Sequence, residues 1–201
     1  MGNRNEIVLT FSSQSQSCVW TDLPLLGAAI REYLDPPASA ANDPTTTKAW
    51  VSFHAFVARL LHAGVSPGSE TTAIWMLRAA LEEEENDDNK SGSNSNTFDR
   101  SLMQAAVHIE YAGATLVQKL VLLQQQPSEP PQLDETQKRM TKGGALWKGE
   151  SGLTADRWRF WGKRFREQAG KAAAGEETKE LAVHAARLIE VWSQTQLQLS
   201  G

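Results

Sequence analysis

The sequence has a single cysteine and no long apolar run, and each of these two features excludes a class of structure. Cys18 alone can form neither an intrachain disulfide nor a cysteine-based zinc site. It lies in a polar segment without a nearby histidine or acid to activate it, so we expect no catalytic thiol. No apolar stretch reaches the roughly 18 residues that span a bilayer, and residues 1–10 lack a signal-peptide core. We therefore expect a cytoplasmic or nuclear protein with no membrane partner.

The motifs of well-known enzyme classes are also absent. The chain has no Gly-x-Ser-x-Gly, no His-Glu-x-x-His and no dinucleotide-binding fingerprint. The pair Gly143-Gly144 lies beside Lys142 but lacks the spacing and the Ser or Thr of a phosphate-binding loop. We therefore expect no cofactor and no metal ion, and we assign no catalytic residue. These absences argue against an enzymatic function but do not exclude one.

Helical periodicity dominates the rest of the sequence. Apolar residues recur at helical spacing in six segments, and strand-like alternation is confined to residues 7–11. The predicted helices cover about residues 21–34, 46–63, 69–85, 97–125, 154–169 and 176–196. Thr154 is a typical N-cap, and Leu153 and Trp158 occupy the two positions of a hydrophobic staple. The sequence therefore predicts an all-α fold, a compact bundle of about six helices without significant sheet.

The chain length of 201 residues suits a single domain. We expect this helical domain to span residues 21–196, after a disordered polar segment at 1–20. Residues 86–97 are of low complexity, and a proline-rich linker begins at Pro127. We therefore expect mobile loops near 86–97 and 127–145.

Four residues indicate how the helices pack. Trp50, Trp158 and Trp161 each lie on an apolar stripe, so their side chains should be largely buried. Gly113 lies in the apolar stripe of the fourth helix, where glycine costs roughly 1 kcal/mol relative to alanine. This glycine predicts that another helix crosses the fourth helix closely at that point.

Several ordered segments are similar to one family. They are Trp20-Thr-Asp-Leu-Pro-Leu-Leu-Gly27, Ala49-Trp-Val-Ser-Phe-His-Ala-Phe-Val-Ala-Arg-Leu60, Leu77-Arg-Ala-Ala-Leu-Glu82, Ala105-Ala-Val-His-Ile-Glu-Tyr-Ala-Gly113, Gly144-Ala-Leu-Trp-Lys-Gly-Glu-Ser-Gly-Leu153 and Trp158-Arg-Phe-Trp-Gly-Lys-Arg-Phe165. Over about residues 18–195 the chain resembles a fungal family known as a domain of unknown function (number thirty-six thirty-two). The resemblance implies a fungal source, an all-helical fold and no established activity, and it carries over no catalytic residue. That family often has an aromatic at position 108 and a shorter loop after Leu81.

One histidine is a candidate site residue. His54 lies in the middle of the apolar face of the second helix, so it is either a buried base or ligand, or a core histidine satisfied by one hydrogen bond. The second interpretation is favoured, because core histidines are common. A pocket between the helices lined by His54 and Tyr111 would favour the first interpretation.

The charges are segregated along the chain. Six acids lie in Glu82–Asp88, while ten of the 20 Lys and Arg residues lie between Lys138 and Lys171. Helix 154–169 presents a basic face with one outward aromatic, and the candidate binding residues are Arg159, Phe160, Lys163, Arg166, Trp147 and Lys148. In the alternative interpretation Phe160 packs under the preceding linker. We interpret Glu82–Glu85 as a solvated, frayed helix end.

Two classes of function stay open. The absence of a catalytic constellation favours a protein-interaction or scaffold module, with an acidic protein as a possible partner of the basic face. The alternative is a small-molecule binding protein or a noncanonical enzyme with a pocket between helices. The net charge of −4 argues against a nucleic-acid partner. The sequence does not determine the oligomeric state.

Overall fold

A computed structural model describes residues 25–34, 43–65, 69–84, 95–125, 133–171 and 175–197. In this part of the chain there are seven α-helices and no strand. They are α1 (Leu26–Glu32), α2 (Pro44–His62), α3 (Ser69–Leu81), α4 (Ser95–Gln124), α5 (Glu135–Met140), α6 (Ala155–Ala169) and α7 (Glu176–Trp192), which continues into a π-helical turn (Ser193–Leu197). The all-α prediction is confirmed. Cys18 and the predicted disordered segment 1–20 lie outside the described residues.

Local capping determines where the best-defined helices begin and end. The Asp43 side chain accepts hydrogen bonds from the amides of Thr45 and Thr46, and Pro44 occupies the first position of α2. Gly64 follows the last turn with a φ of 68°, which glycine adopts without strain. The Thr154 hydroxyl accepts from the Arg157 amide at 3.2 Å, so the predicted cap of α6 is confirmed.

Helix α4 is the centre of the bundle, with α2, α3 and α7 packed around it. Helices α2 and α4 run in the same direction, because His54 lies beside Gln104 and His62 lies beside Thr115. Helix α3 runs antiparallel to α4, since its first turn is paired with the end of α4 through the ion pair between Glu70 and Lys119.

The core joins α2, α3, α4, α6 and α7 in one cluster of buried apolar side chains. Trp158 and Trp161 are fully buried in this cluster, and Trp50 is buried on α2, as the apolar stripes predicted. A Cβ atom at Gly113 would collide with the indole ring of Trp192, which packs against α4 at that point. The predicted close helix crossing is therefore confirmed, and the crossing helix is α7.

Some predicted boundaries differ from the structure, and one helix was not predicted. Helix α3 ends at Leu81 rather than near residue 85, and α4 begins at Ser95 rather than Thr97. The predicted loop 127–145 contains the helix α5, whose N-cap Asp134 and third residue Gln137 form a reciprocal capping box. The prolines at 127, 130 and 131 precede this cap in the sequence and therefore do not interrupt the helix.

Candidate functional site

The turn after α3 contains a buried carboxylate, although the sequence had suggested a solvated helix end. Glu82 is fully buried, whereas Glu83 and Glu84 are exposed. The interpretation of Glu82–Glu85 as a uniformly solvated segment is therefore wrong at its first residue. Because α3 stops at Leu81, the chain turns and places the Glu82 side chain against α6.

Arg157 of α6 neutralises this carboxylate. Its Nε lies 2.6 Å from Glu82 Oε1 and its Nη2 lies 2.9 Å from Oε2, which is a bidentate arrangement. Trp161 Nε1 also donates to Oε1, at 2.6 Å, and the Gly144 amide donates to Oε2, at 2.8 Å. The buried charge thus has a counter-ion and two further donors, as a buried ion pair requires.

The same guanidinium group also binds the loop between α5 and α6. Arg157 Nη1 donates to the carbonyl of Thr141 at 2.7 Å and to the carbonyl of Gly152 at 2.8 Å. We call residues 141–153 the wall, because they form one side of an apolar concavity. The wall contains no helix or strand.

An apolar groove lies between the wall, α5, the first half of α3 and the last turns of α4. It consists of two adjoining cavities of about 630 Å³ and about 440 Å³, which share Leu123, Leu133, Gly152 and Leu153. Its main apolar lining residues are Leu120, Leu122, Leu123, Leu133, Met140 and Leu153. We refer to this concavity as the groove.

Three large apolar side chains at the groove are exposed to solvent. The exposed fractions are 53% for Leu122, 39% for Leu123 and 40% for Met140. The charged residues that line the groove are two of each sign, Glu70, Lys119, Lys138 and Glu150. Glu70 pairs with Lys119, and Lys138 pairs with Glu135. The groove is therefore an apolar surface with a rim of nearly balanced charge, and it can bind apolar groups without attracting either sign of charge.

The structure places the predicted basic face on the exposed side of α6, but each of its cations has an acidic neighbour. Arg159 pairs with Asp156 at 3.0 Å, and Lys163 lies 3.7 Å from Glu167. Arg166 forms an ion pair with Glu190 of α7. These carboxylates partly neutralise the face, so its attraction for an acidic partner is weaker than the sequence suggested. Its role in binding stays a prediction.

The aromatic residues proposed for that face pack against each other. Phe160 is half-buried at the edge of the core, and its ring centroid lies 5.2 Å from that of Trp147 in the wall. Trp147 Nε1 donates to the carbonyl of Glu150 at 2.9 Å, and the neighbouring Lys148 is exposed. This arrangement agrees with the alternative interpretation, in which Phe160 packs under the linker.

His54 and Tyr111 line neither cavity of the groove. His54 is buried and lies 3.0 Å from the amide nitrogen of Gln104, and its ring centroid lies 5.5 Å from that of His108. Tyr111 is half-buried under the guanidinium group of Arg59, which lies 3.8 Å from the ring centroid.

The buried histidines are neutral at physiological pH. Burial, together with the neighbouring His108, lowers the pKa of His54 to about 3. Burial also lowers the pKa of His108 to about 4, although a hydrogen bond from its Nδ1 to the Gln104 carbonyl opposes the shift. Both side chains therefore behave as polar members of the core.

The described residues contain neither a metal-binding cluster nor a helix suited to a membrane. No three His, Cys, Asp or Glu side chains among them lie closely enough together to hold a metal ion. Among the helices that the structure describes, none combines the length and the apolar character needed to cross a bilayer.

Sequence reasoning missed both the groove and the buried pair. The adjacent Leu122 and Leu123 were one available signal, because Leu123 lies on the apolar stripe of the helix and Leu122 points about 100° away from Leu123. The Asp134 and Gln137 capping box was another. Neither signal alone indicates a concavity, since the groove needs the approach of three distant segments.

Among the comparisons with known proteins, the one with family models gives a match. The comparisons with curated proteins and with solved structures give no match. A family model described as "Protein of unknown function (DUF3632)" matches residues 9–165, which is most of the chain. The fungal source that the resemblance implied stays a prediction. The family match itself confirms the resemblance, and the chain belongs to this family.

Proposed function

We propose that the chain is a protein-interaction module whose groove binds an amphipathic helix of a partner protein. The observation that carries the proposal is the exposure of Leu122, Leu123 and Met140 around two adjoining apolar cavities. Isolated exposed apolar side chains are common on protein surfaces, but a concave apolar cluster is typical of a contact site. Helix-in-groove recognition uses such surfaces, often with methionine.

The shape and charge of the groove define the partner helix. Two adjoining cavities that share Leu123 and Leu133 suit two large apolar side chains that lie next to each other on one face of the partner helix. The rim pairs Glu70–Lys119 and Glu135–Lys138 leave little net charge. The partner segment should therefore have leucine-sized or larger anchors at i and i+3 or i+4, with flanks of low net charge.

A second candidate is an apolar small molecule in the same groove. The cavity volumes of about 630 Å³ and about 440 Å³ favour it, since ligand pockets commonly measure roughly 300–1,000 Å³. The solvent-exposed Leu122 and Met140 argue against it, because a small molecule would leave much of their surface uncovered. We therefore propose a partner helix, rather than a small molecule, as the ligand of the groove.

The test is a selection of helical peptides against the full chain. The enriched peptides should share large apolar residues at i and at i+3 or i+4. Changing Leu122→Glu or Met140→Glu should weaken their binding at least about tenfold, because a lost apolar anchor is worth roughly 1.5–3 kcal/mol and 1.4 kcal/mol is tenfold.

The matched control is on α7. Val183 and Val191 are 48% and 45% exposed, about as much as Leu122 and Met140, but they lie away from the groove. Val183→Glu and Val191→Glu should leave peptide affinity unchanged, while circular dichroism confirms that all four variants fold. If no peptide with this spacing is enriched, or if the control changes weaken binding equally, the groove is not the contact site.

A further inference from the structure

We infer that the buried pair Glu82–Arg157 positions the wall and thereby maintains the shape of the groove. The effect on binding rests on the function proposed above, whereas the effect on the wall does not. Neither side chain lines the groove, so both residues act through the backbone that they hold.

Arg157 binds both ends of the wall through one nitrogen atom. The carbonyl groups that accept from Nη1 belong to Thr141 and Gly152, and both residues line the groove. The Gly152 amide in turn donates to the Thr141 carbonyl at 3.2 Å. The guanidinium group thus holds together the two backbone segments where the wall leaves α5 and where it returns to α6.

Glu82 binds the middle of the wall. Its Oε2 accepts from the Gly144 amide at 2.8 Å, and its own carbonyl accepts from the Leu146 amide at 2.7 Å. A Cβ atom at Gly144 would lie 2.7 Å from the Glu82 carbonyl oxygen, so only glycine allows this approach. Glu82 and Arg157 therefore contact the wall at its start, its middle and its end.

The other polar links between the helices and the wall are weaker or lie at its edge. Arg78 reaches the Lys142 carbonyl at 3.4 Å, and the Ala145 amide reaches the Glu83 carboxylate at 3.5 Å. Both links are exposed to solvent, which competes for them. The short bond from Trp75 to the Met140 carbonyl holds the end of α5, just before the wall begins.

Most of the helical core forms without contact to the wall. The main cluster of buried apolar side chains comes from α2, α3, α4, α6 and α7, and Leu153 is the wall residue that packs against it. Loosening the ion pair should therefore release the wall before it disturbs the bundle. A pair that served only general stability would loosen the helices and the wall together.

The test compares Arg157→Lys with Arg159→Lys in the full chain. Lysine keeps the charge at position 157 but cannot form the four bonds of the guanidinium group. Hydrogen exchange of the Gly144, Leu146 and Gly152 amides should become at least about tenfold faster, while the α4 amides keep their protection. Affinity for the selected helical peptide should fall at least about tenfold. Arg159 has an exposed partner, Asp156, so Arg159→Lys should change neither quantity.

Glu82→Met combined with Arg157→Met is the second variant. It removes every polar bond from both side chains and takes the acceptor away from Trp161 Nε1, but it leaves no unpaired buried charge, so the bundle should fold with lower stability. Faster exchange confined to the wall, in either variant, supports the inference even if no peptide binds to the wild-type chain. Unchanged wall exchange overturns it, as does exchange that rises equally in α4. Failure of both variants to fold also overturns it, because the pair would then be required by the whole bundle.

Discussion

At the scale of single residues, His54 and His108 make the stability of the domain sensitive to acid. Both histidines are neutral in the folded chain, because burial lowers their pKa values to about 3 and about 4. In the unfolded chain a histidine has a pKa of roughly 6.5, so between pH 6.5 and 4 the unfolded state binds more protons. Stability should therefore fall as the pH falls through this window, by about 2 kcal/mol for each histidine between pH 7 and 5.

Urea unfolding at several pH values measures this dependence. The change His108→Gln removes one of the two protonation sites, so the loss of stability on acidification should be roughly halved. His184 is exposed on α7, and His184→Gln should leave the dependence as it is in the wild type. A pH dependence that stays the same in the His108 variant would show that other groups cause the acid sensitivity.

Residues of one type within one run can have opposite environments. Glu82 begins a run of four glutamates, and the composition of that run predicts solvation for every member. Its partner Arg157 is 75 residues away, so no local pattern distinguishes Glu82 from Glu83. Trp158 and Trp161 were predictable, in contrast, because their burial follows from the spacing within their own helix.

At the scale of secondary structure elements, capping and periodicity explain why most helices could be predicted. Thr154 and Gly64 mark real helix ends, and the apolar stripe of α6 faces the core. The short helix α5 was missed because a six-residue helix has too few turns to show periodicity. Its capping box was present in the sequence, but the prolines nearby favoured a loop.

The contact between α6 and α7 gives a prediction at this scale. A Cβ atom at Gly162 would lie 2.8 Å from Ile189 Cγ2, and Ile189 is buried and stiff because it is branched at Cβ. We expect Gly162→Ala to destabilise the domain by up to about 2 kcal/mol, because an overpacking cost of roughly 1–3 kcal/mol exceeds the gain in helix propensity of roughly 1 kcal/mol.

Gly27 provides the control for this substitution. It lies in α1, where an added Cβ atom would meet no neighbouring atom within 4 Å, so Gly27→Ala should keep or raise the free energy of unfolding. Thermal unfolding of both variants measures the difference. Equal stability of the two variants would mean that α6 and α7 separate easily at Gly162.

At the scale of the whole molecule, the groove arises from segments that are far apart in the sequence. Glu70 to Ile74, Lys119 to Gln124 and Leu133 to Ala155 contribute its lining, and none of them has a pattern of its own that indicates binding. The fold class follows from local periodicity, whereas the groove follows from the register between α3 and α4 and from the buried pair that holds the wall. For this reason the sequence, which predicted a basic face on α6 as a contact surface, gave no indication of the groove that we propose.

Cross-linking from single positions tests most directly whether the groove is the contact site. The photoreactive residue p-benzoylphenylalanine replaces Leu122 in one variant and Val183 in another, and each variant is irradiated with the selected helical peptide. These two positions are 53% and 48% exposed, so solvent access is nearly matched. If the groove is the contact site, cross-linking should be efficient from position 122, at the apolar anchors of the peptide, and weak from position 183. Equal cross-linking from both positions, or cross-linking from position 183 alone, would contradict it.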